Sequence, residues 1–526
     1  MRAGDQNFIS KKNKSLASWL RICVYQDYKF DNRKAFEVHH SKQTESVAQR
    51  QMTLDLGLSK KVVQNFDGGQ ICSDGGLLIL RKADDRLGLS KNASYCVKDT
   101  RQPEYVSHSI ENLFRQRIYA IAAGYEDCND AARLRTDAMH RLAVGYEPDS
   151  AHFLASQSSL SRFESRADAE TNKALQSLLI LTYVKSQKRR PKVVRLAMDT
   201  TCDEVYGYQQ KSFWNGYYST YCYAPLLIFT DDGFPLCALL RPGNPSPIDD
   251  ALRMLKRIIK ELRMFWPGVS IELTADAAFN SPEIFEFCEN NDVIYFIAAA
   301  SHNGLAYYSE ELVKKCKKEF EEFGFEAPQL KKYGRPVNPK DRHRIWRQNE
   351  ERIRFSTKEE GRMQENFEAD LRIRKYGECT YKAREWKIER RFIYRVEQTK
   401  EGSDVRFVVT NSQTKSAQKL YDDKYCRRAR CENWIKDLKT YLKSDRTSCQ
   451  EFEHNQFRLL LHTFAYILIW ETRKKARLRE MTVHTFQLQV LKIGVMVRVK
   501  AREIALHLAS DFAWRKQFES AWHALC

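Results

Sequence analysis

Apolar and polar positions change rhythm several times along the chain, and each change predicts an element. Val62 to Phe66 is a short strand-like run closed by the turn residues Asp67-Gly68-Gly69, with a second turn at Asp74-Gly75-Gly76. Apolar residues then recur at helical spacing over Leu77 to Leu87 and Ile110 to Ala123, and Asn129-Asp130 caps a further helix through Leu134 and Met139. In Leu154 to Phe163, small hydroxyl residues precede Leu160 and Phe163 and predict a capped helix start, which packs on its neighbours or serves as the recognition end of a helix-turn-helix. Val193 to Met198 is a compact apolar run of strand type ending at Asp199-Thr200-Thr201. Tyr223 to Phe229 and Leu236 to Leu240 follow as strands around the turn Asp231-Asp232-Gly233, so this domain opens with an antiparallel meander. Ile248 to Phe265 reads as an amphipathic helix, Val269 to Ala275 as an alternating strand ending at Asp276, Pro282 to Asn290 as a helix and Val293 to Ala299 as a strand.

Three strands, then helix, strand, helix, strand, is the element order of a ribonuclease-H-like core. Such a core carries carboxylates on its first strand, at or just after its fourth, and on a later helix; Asp199, Asp276 and Glu432 occupy those places. From about Leu305 to Thr410 the chain leaves that plan: a charged, helix-prone region broken by Pro336 and Pro339 precedes strand-like Trp386 to Val396 and Val405 to Val409. Tyr421 to Leu442 returns to the core as a helix, and Phe452 to Thr472 is an apolar helix expected behind it. The expected fold is therefore α/β, a mixed sheet with helices, with an inserted β-containing domain and a mainly helical N-terminal domain. The boundaries are a polar extension over 1–52, a helical DNA-binding domain over 53–185, the core over 186–304 and 411–475, the insertion over 305–410 and a basic helical tail over 476–526 anchored by Trp514 and Trp522.

Composition narrows the class of partner. The 526 residues carry 87 Lys and Arg against 68 Asp and Glu, a net charge of +19, which favours a polyanion, nucleic acid first. A membrane is disfavoured because the longest apolar run, Leu459 to Trp470, is interrupted by His462 and too short to span. The cysteines are scattered without Cys-x-x-Cys pairs or zinc spacing, so they read as reduced thiols of a cytoplasmic protein. Trp346 and Trp386 are placed to stack on an unpaired base at a cut DNA end or to pack in the core.

The densest chemistry lies in Tyr425 to Lys439, where Glu432 sits inside a run of Arg and Lys. At about 100° per residue, Tyr425, Arg428, Glu432 and Lys439 share one helical stripe, while Cys431, Ile435, Leu438 and Leu442 form an apolar stripe that docks on a core. Glu432 either pairs with Arg428 or Lys436 at helical spacing on a solvated face, or is a functional carboxylate. The spacing Tyr-x2-Arg-x3-Glu-x6-Lys resembles the Tyr-Arg-Glu-Lys signature of bacterial insertion-sequence transposases.

That resemblance extends over about residues 53 to 475. Asp127-Cys128-Asn129-Asp130, Leu154 to Phe163, Met198 to Thr201, Tyr221 to Pro225, Leu240 to Asn244, Arg406 to Asn411 and Asn455 to Leu459 look like the DDE transposases of the "thirteen-eighty" insertion-sequence family, bacterial relatives of the piggyBac elements. The resemblance implies that Asp199, Asp276 and Glu432 are the catalytic triad and hold two Mg²⁺, with Mn²⁺ able to substitute. It also implies that Tyr425, Arg428 and Lys439 contact DNA phosphates, and that the partners are terminal inverted repeats, target DNA and a second copy of the chain. One position departs from the family: Asp276-Ala277-Ala278-Phe279 has Ala278 where Gly is usual. The rival readings are a catalytically silent DNA-binding derivative, which loss of a triad carboxylate would favour, and a structure-specific nuclease.

Overall fold

The computed structural model describes residues 52–54, 59, 62–64, 68–325 and 372–526, with the exception of 385 and 400. The extension expected before Met52, the breakers Pro336 and Pro339, and Trp346 lie outside the described residues. The chain divides into two units, 1–69 and Gln70–Cys526. The first contributes an antiparallel pair, β1 (Met52–Leu54) and β2 (Val62–Gln64), with Thr53 opposite Val63.

The second unit opens with β3 (Ile71–Cys72) and helices that include α1 (Leu77–Leu87), α2 (Ile110–Ala122), α3 (Gln157–Glu164) and α4 (Ala169–Ser186). Next come β4 (Val193–Thr200), a side excursion of β5 (Asp203–Glu204), β6 (Phe213–Asn215) and β7 (Thr220–Tyr223), then β8 (Leu226–Thr230) and β9 (Pro235–Leu239). Two crossovers come after these strands, α5 (Pro247–Phe265) to β10 (Ser270–Ala275) and α6 (Pro282–Asn290) to β11 (Val293–Ala299). Both crossover helices begin Ser-Pro: the Ser246 and Ser281 hydroxyls accept the Asp249 and Ile284 amides, and the proline needs no amide partner in the first turn. After α7 (Asn303–Phe325) come β12 (Ile373–Tyr381), β13 (Arg390–Thr399) and β14 (Gly402–Thr410). The chain ends with α8 (Ala429–Lys436), α9 (Phe452–Lys475), β15 (Val495–Val499), β16 (Ile504–Leu508) and α10 (Arg515–Leu525).

The principal sheet has eight strands in the order β12-β13-β14-β11-β10-β4-β8-β9. Its centre, β4, β10 and β11, is parallel, while β8 and β14 run antiparallel on either side. Val194, Leu196, Ala197 and Met198 of β4 are all buried, as expected for an interior strand covered on both faces.

Three expectations are corrected. The described strands of 305–410 belong to the core sheet: β14 pairs with β11, Val409 opposite Ile297, and β13 and β12 continue the same sheet. Phe407, Val408 and Val409 are buried, so β11 has a covered partner instead of an open edge. The strand expected over Tyr223 to Phe229 is two strands in two sheets. Pro225 has no amide to give to a ladder, and the chain turns there from β7, in the small sheet β5-β7-β6, into β8. The tail is not wholly helical: β15 pairs with β16 and with β3, Val495 opposite Cys72. Gly76 permits this closure, because a Cβ there would stand 2.1 Å from the Val490 carbonyl oxygen.

The apolar helix expected over Phe452 to Thr472 is α9, buried from Asn455 to Arg473, and it packs on α1, α2, α4, β9 and α10. Its Gln456 accepts the Leu240 amide at 2.7 Å and donates to the Ala238 carbonyl at 3.0 Å, tying the helix to the end of β9. Every described cysteine is a free thiol. Among the described residues no helix is long and apolar enough to cross a membrane.

Candidate active site

In the parallel pair β4 and β10, Met198 lies beside Ala275 as the last matched position. The next residues, Asp199 near the end of β4's ladder with β8 and Asp276 just past β10, therefore stand at the same carboxyl end of neighbouring strands, where open α/β sheets place their ligands. Asp199 is only 8% exposed, and its Oδ1 accepts the Thr200 amide at 2.9 Å. Asp276 caps a short 3-10 turn, Ala277–Phe279, by accepting the Ala278 amide at 3.1 Å, and the buried Phe279 ring anchors that turn. Ala278 is not among the residues with positive φ, so its side chain is accommodated without backbone strain.

Burial pushes the Asp199 carboxyl up to about 6; Arg428 pulls the other way, while the charges of Asp276 and Glu432 add to the push. Asp276 is raised too, by burial, against the pull of Arg428, the Ala278 amide and Arg241.

The segment facing this pair is not one regular helix. It winds as a 3-10 turn over Tyr425–Arg428, as α8 over Ala429–Lys436 and as a π-turn over Asp437–Tyr441. The expected apolar stripe is present: Cys431, Ile435, Leu438 and Leu442 are buried, and α8 packs on β4. On the other face Arg428 bridges two carboxylates, with Nη1 donating to Asp199 Oδ2 at 2.7 Å and Nη2 donating to Glu432 Oε1 at 3.0 Å. The Glu432 side chain is 61% exposed. Burial raises the half-buried Tyr425 phenol, while the neighbouring Arg428 charge favours its ionised form.

Lys439, within the π-turn, reaches the chain just past Asp199: its Nζ donates to Thr201 Oγ1 at 3.1 Å and to the Cys202 carbonyl. It also stands 3.5 Å from the Asp203 carboxylate. The two cations expected on phosphates are thus held by the protein's own oxygens in this state.

Two charged residues were not singled out from sequence. Asp203 lies just past β4; burial pushes its carboxyl up to about 7 against the pull of Lys439. Arg241, 2% exposed, donates from Nε to the Ala224 carbonyl at 2.8 Å and leaves Nη1 unpartnered, and its charge reaches Asp276. The segment Leu240 to Asn244 carried a resemblance, but nothing local marks its arginine as buried.

Among the described residues, no group of three or more His, Cys, Asp or Glu is set to hold a metal ion. The Arg428 guanidinium stands between Asp199 and Glu432 instead. The donor set nevertheless suits a hard divalent cation: all three acids offer only oxygen, and the bridging guanidinium marks where they require positive charge.

The description transposase DDE domain group 1 belongs to the family model that matches residues 54–526. Comparison with curated proteins gives no match. Among solved structures, the chain is similar to the piggyBac transposase synaptic complex with hairpin DNA, at 9% identity over 79% of each chain, with a TM-score of 0.36.

Proposed function

The chain belongs to the transposase DDE domain group 1 family, and we propose that it binds the terminal inverted repeats of a bacterial insertion sequence, cuts the DNA there and joins the freed 3′-OH to target DNA. The observation that carries this reading is the pair Asp199 and Asp276 on adjacent parallel strand ends, with Glu432 linked to Asp199 through Arg428. The strand order β9-β8-β4-β10-β11, with only β8 antiparallel to its central neighbour β4, supports a ribonuclease-H-like core. The "thirteen-eighty" assignment rests on the motifs read from sequence.

Asp199, Asp276 and Glu432 would hold two Mg²⁺ ions, or Mn²⁺, and such a pair, when bound, activates an attacking oxygen and stabilises the leaving oxygen of a phosphodiester. The two aspartates are presented by strand ends that a covered sheet keeps in place. Glu432 stands on a helix whose other face is docked through Cys431 and Ile435, so its backbone is fixed while its exposed side chain, once Arg428 lets go, can turn toward the aspartates. Arg428, released from the carboxylates, presents a planar fork of donors to a phosphate. Lys439, steadied by Asp203, adds a cation beside the strand end. Tyr425 borders Arg428 and closes the same side. The protein acts on DNA in the bacterial cytoplasm, as a homodimer on paired ends.

The test is a gel-shift beside a nicking assay on a labelled inverted-repeat end, in Mg²⁺ and in Ca²⁺. Glu432→Ala is expected to keep DNA binding, or tighten it, while nicking falls about a thousandfold or more, which corresponds to roughly 4 kcal/mol of lost transition-state stabilisation. Ca²⁺ gives the same split in the natural chain, because its longer, looser coordination misplaces the reacting oxygens. Near-normal nicking by Glu432→Ala would refute the triad. Nicking without joining would leave a nuclease in place of a transposase.

A further inference from the structure

Between β4 and β8 the chain leaves the principal sheet and builds the small antiparallel sheet β5-β7-β6 beside the carboxylates. Its surface is aromatic. Tyr206 is 93% exposed, Tyr208 103%, Tyr217 89%, Tyr221 57% and Trp214 53%. Single exposed rings are ordinary on a protein surface, but such a concentration marks a binding surface.

The rings are held in place. Trp214 lies opposite Tyr221 in the ladder, ring centroids 5.5 Å apart and edge to face, and Tyr217 meets Tyr218 edge-on at 4.9 Å. Asn215 Oδ1 accepts the amides of Tyr217 and Tyr218 at 3.0 and 3.2 Å, which shapes the loop that carries them. Asn215 Nδ2 donates to the Gly243 carbonyl at 2.7 Å. A Cβ at Gly243 would stand 2.3 Å from the carbonyl oxygens of Cys222 and Phe213, so the hairpin sits directly on the loop after Arg241. The surface is also continuous with the candidate active site, because the first strand of the small sheet, Asp203–Glu204, follows the end of β4 only three residues after Thr200. A neighbouring groove is lined by Tyr206 together with Lys439, Lys443 and Arg446, and by the acids Glu204 and Asp445.

Composition decides the kind of ligand. From Tyr206 to Tyr221 the chain has no Leu, Ile, Val or Met, no Asp or Glu, and one cation, Lys211; the rest is aromatic, glycine or small polar. Protein-docking faces enrich Met and Arg along with aromatics, and this stretch has neither. The stretch itself carries no carboxylate, and Glu204, two residues before it, accepts the Tyr206 hydroxyl at 2.8 Å; ring faces of this kind suit flat, uncharged bases carried on an anionic backbone. We propose that this sheet is a stacking platform for unpaired nucleobases of the DNA strand next to the scissile phosphate. The proposal rests on the reading that DNA is the substrate, and it moves the stacking role from Trp386, whose ring is covered by Phe392 (interplanar angle 14°) and by Arg390 at 5.0 Å, to residues 206–221.

The experiment uses the full chain in Ca²⁺ and fluorescence anisotropy with three probes: a labelled blunt duplex, the same duplex with an oligothymidine tail, and that duplex with an abasic tail. The natural chain is expected to prefer the thymidine tail. The double variant Trp214→Ala/Tyr217→Ala loses about fivefold to a hundredfold on that probe and binds the blunt duplex as the natural chain does. The abasic tail should bind the natural chain as weakly as the thymidine tail binds the double variant. Trp214→Tyr/Tyr217→Trp keeps the preference, which separates lost stacking from damaged folding. A tail preference that survives in the double variant, or that the abasic tail shares, overturns the platform. So does a double variant whose only change is its oligomeric state, since the surface then joins copies of the chain. If the natural chain binds the blunt duplex but gains nothing from a tail, the platform alone fails; if it binds no DNA at all, the reading of its substrate fails with it.

Discussion

Two helical segments lie one after the other in the chain and could hardly be less alike. Phe452–Lys475 is one unbroken α-helix, buried on almost every side. Tyr425–Tyr441 changes winding twice and buries only a narrow apolar stripe. A helix apolar all round is held straight by packing on every face. A helix crowded with arginines can dock on one side only, and there its winding yields to what its polar side chains can reach. The long helix also fixes the ends of the irregular one. Arg473 lies 3.4 Å from the Asp437 carboxylate at the start of the π-turn, and the His462 ring donates from Nδ1 to the Leu442 carbonyl just after it, at 2.6 Å. Burial holds His462 far below the usual histidine range, so it is neutral, with its other nitrogen unpartnered. Burial is concentrated in the first segment and the candidate chemistry in the second, and the Arg473 and His462 contacts join them.

The largest stability effect should come from the straight helix. Phe464 is fully buried beside the Phe114 ring, and Phe464→Ala is expected to cost about 3 to 5 kcal/mol in urea denaturation. Arg427→Ala, exposed on the irregular segment, should change stability by less than about 0.5 kcal/mol. Equal costs would erase the contrast. Next, Arg473→Leu leaves the Asp437 carboxylate buried without its partner, and roughly 3 kcal/mol of stability should go. Nicking should fall as well if the π-turn positions Lys439, and a variant that loses stability but nicks normally would uncouple the two segments.

Asp203 sharpens the contrast through pH. Its carboxyl is raised to about 7 by burial, so in the window from about 4 to about 7 the folded chain keeps a proton that the unfolded chain has released. That stability is present below the unfolded value and is lost as pH rises through the folded one. Asp203→Asn should flatten this slope, reducing the loss between about pH 5 and about pH 8 by on the order of 2 to 3 kcal/mol in denaturant titrations. An unchanged slope would remove Asp203 from the linkage. The smallest effect is expected from Lys439→Ala, which should weaken inverted-repeat and random duplexes alike and lower the salt slope of binding by about one contact. Loss confined to the inverted repeat would show that Lys439 reads bases.

Much of this was legible in sequence because it is local. The helix over Ile248 to Phe265 repeats at helical spacing, and the strands ending at Asp199 and Asp276 are short apolar or alternating runs. The spacing of Arg428 and Glu432 likewise anticipated the ion pair they form, since an i, i+4 contact needs nothing beyond its own helix. The contacts of Lys439 were not legible, because Thr201, Cys202 and Asp203 are distant from it in the chain. The span 305–410 looked separate because charge and proline obscure its place, and only pairing with β11 draws its strands into the core. The tyrosines of 206–221 read as ordinary sequence until the small sheet held them out to solvent.

By itself, then, the sequence determined the elements, the basic charge, and three carboxylates at the ends or on the face of predicted elements, since each stems from side chains a few residues apart. Tertiary structure alone decided that Asp199 stands beside Asp276, that Arg428 bridges Asp199 to Glu432, and that Lys439 turns to Asp203. The physical reason is range: strand register, helix winding under load and the burial of a charge depend on partners distant in the chain, and no local pattern records which partners will meet.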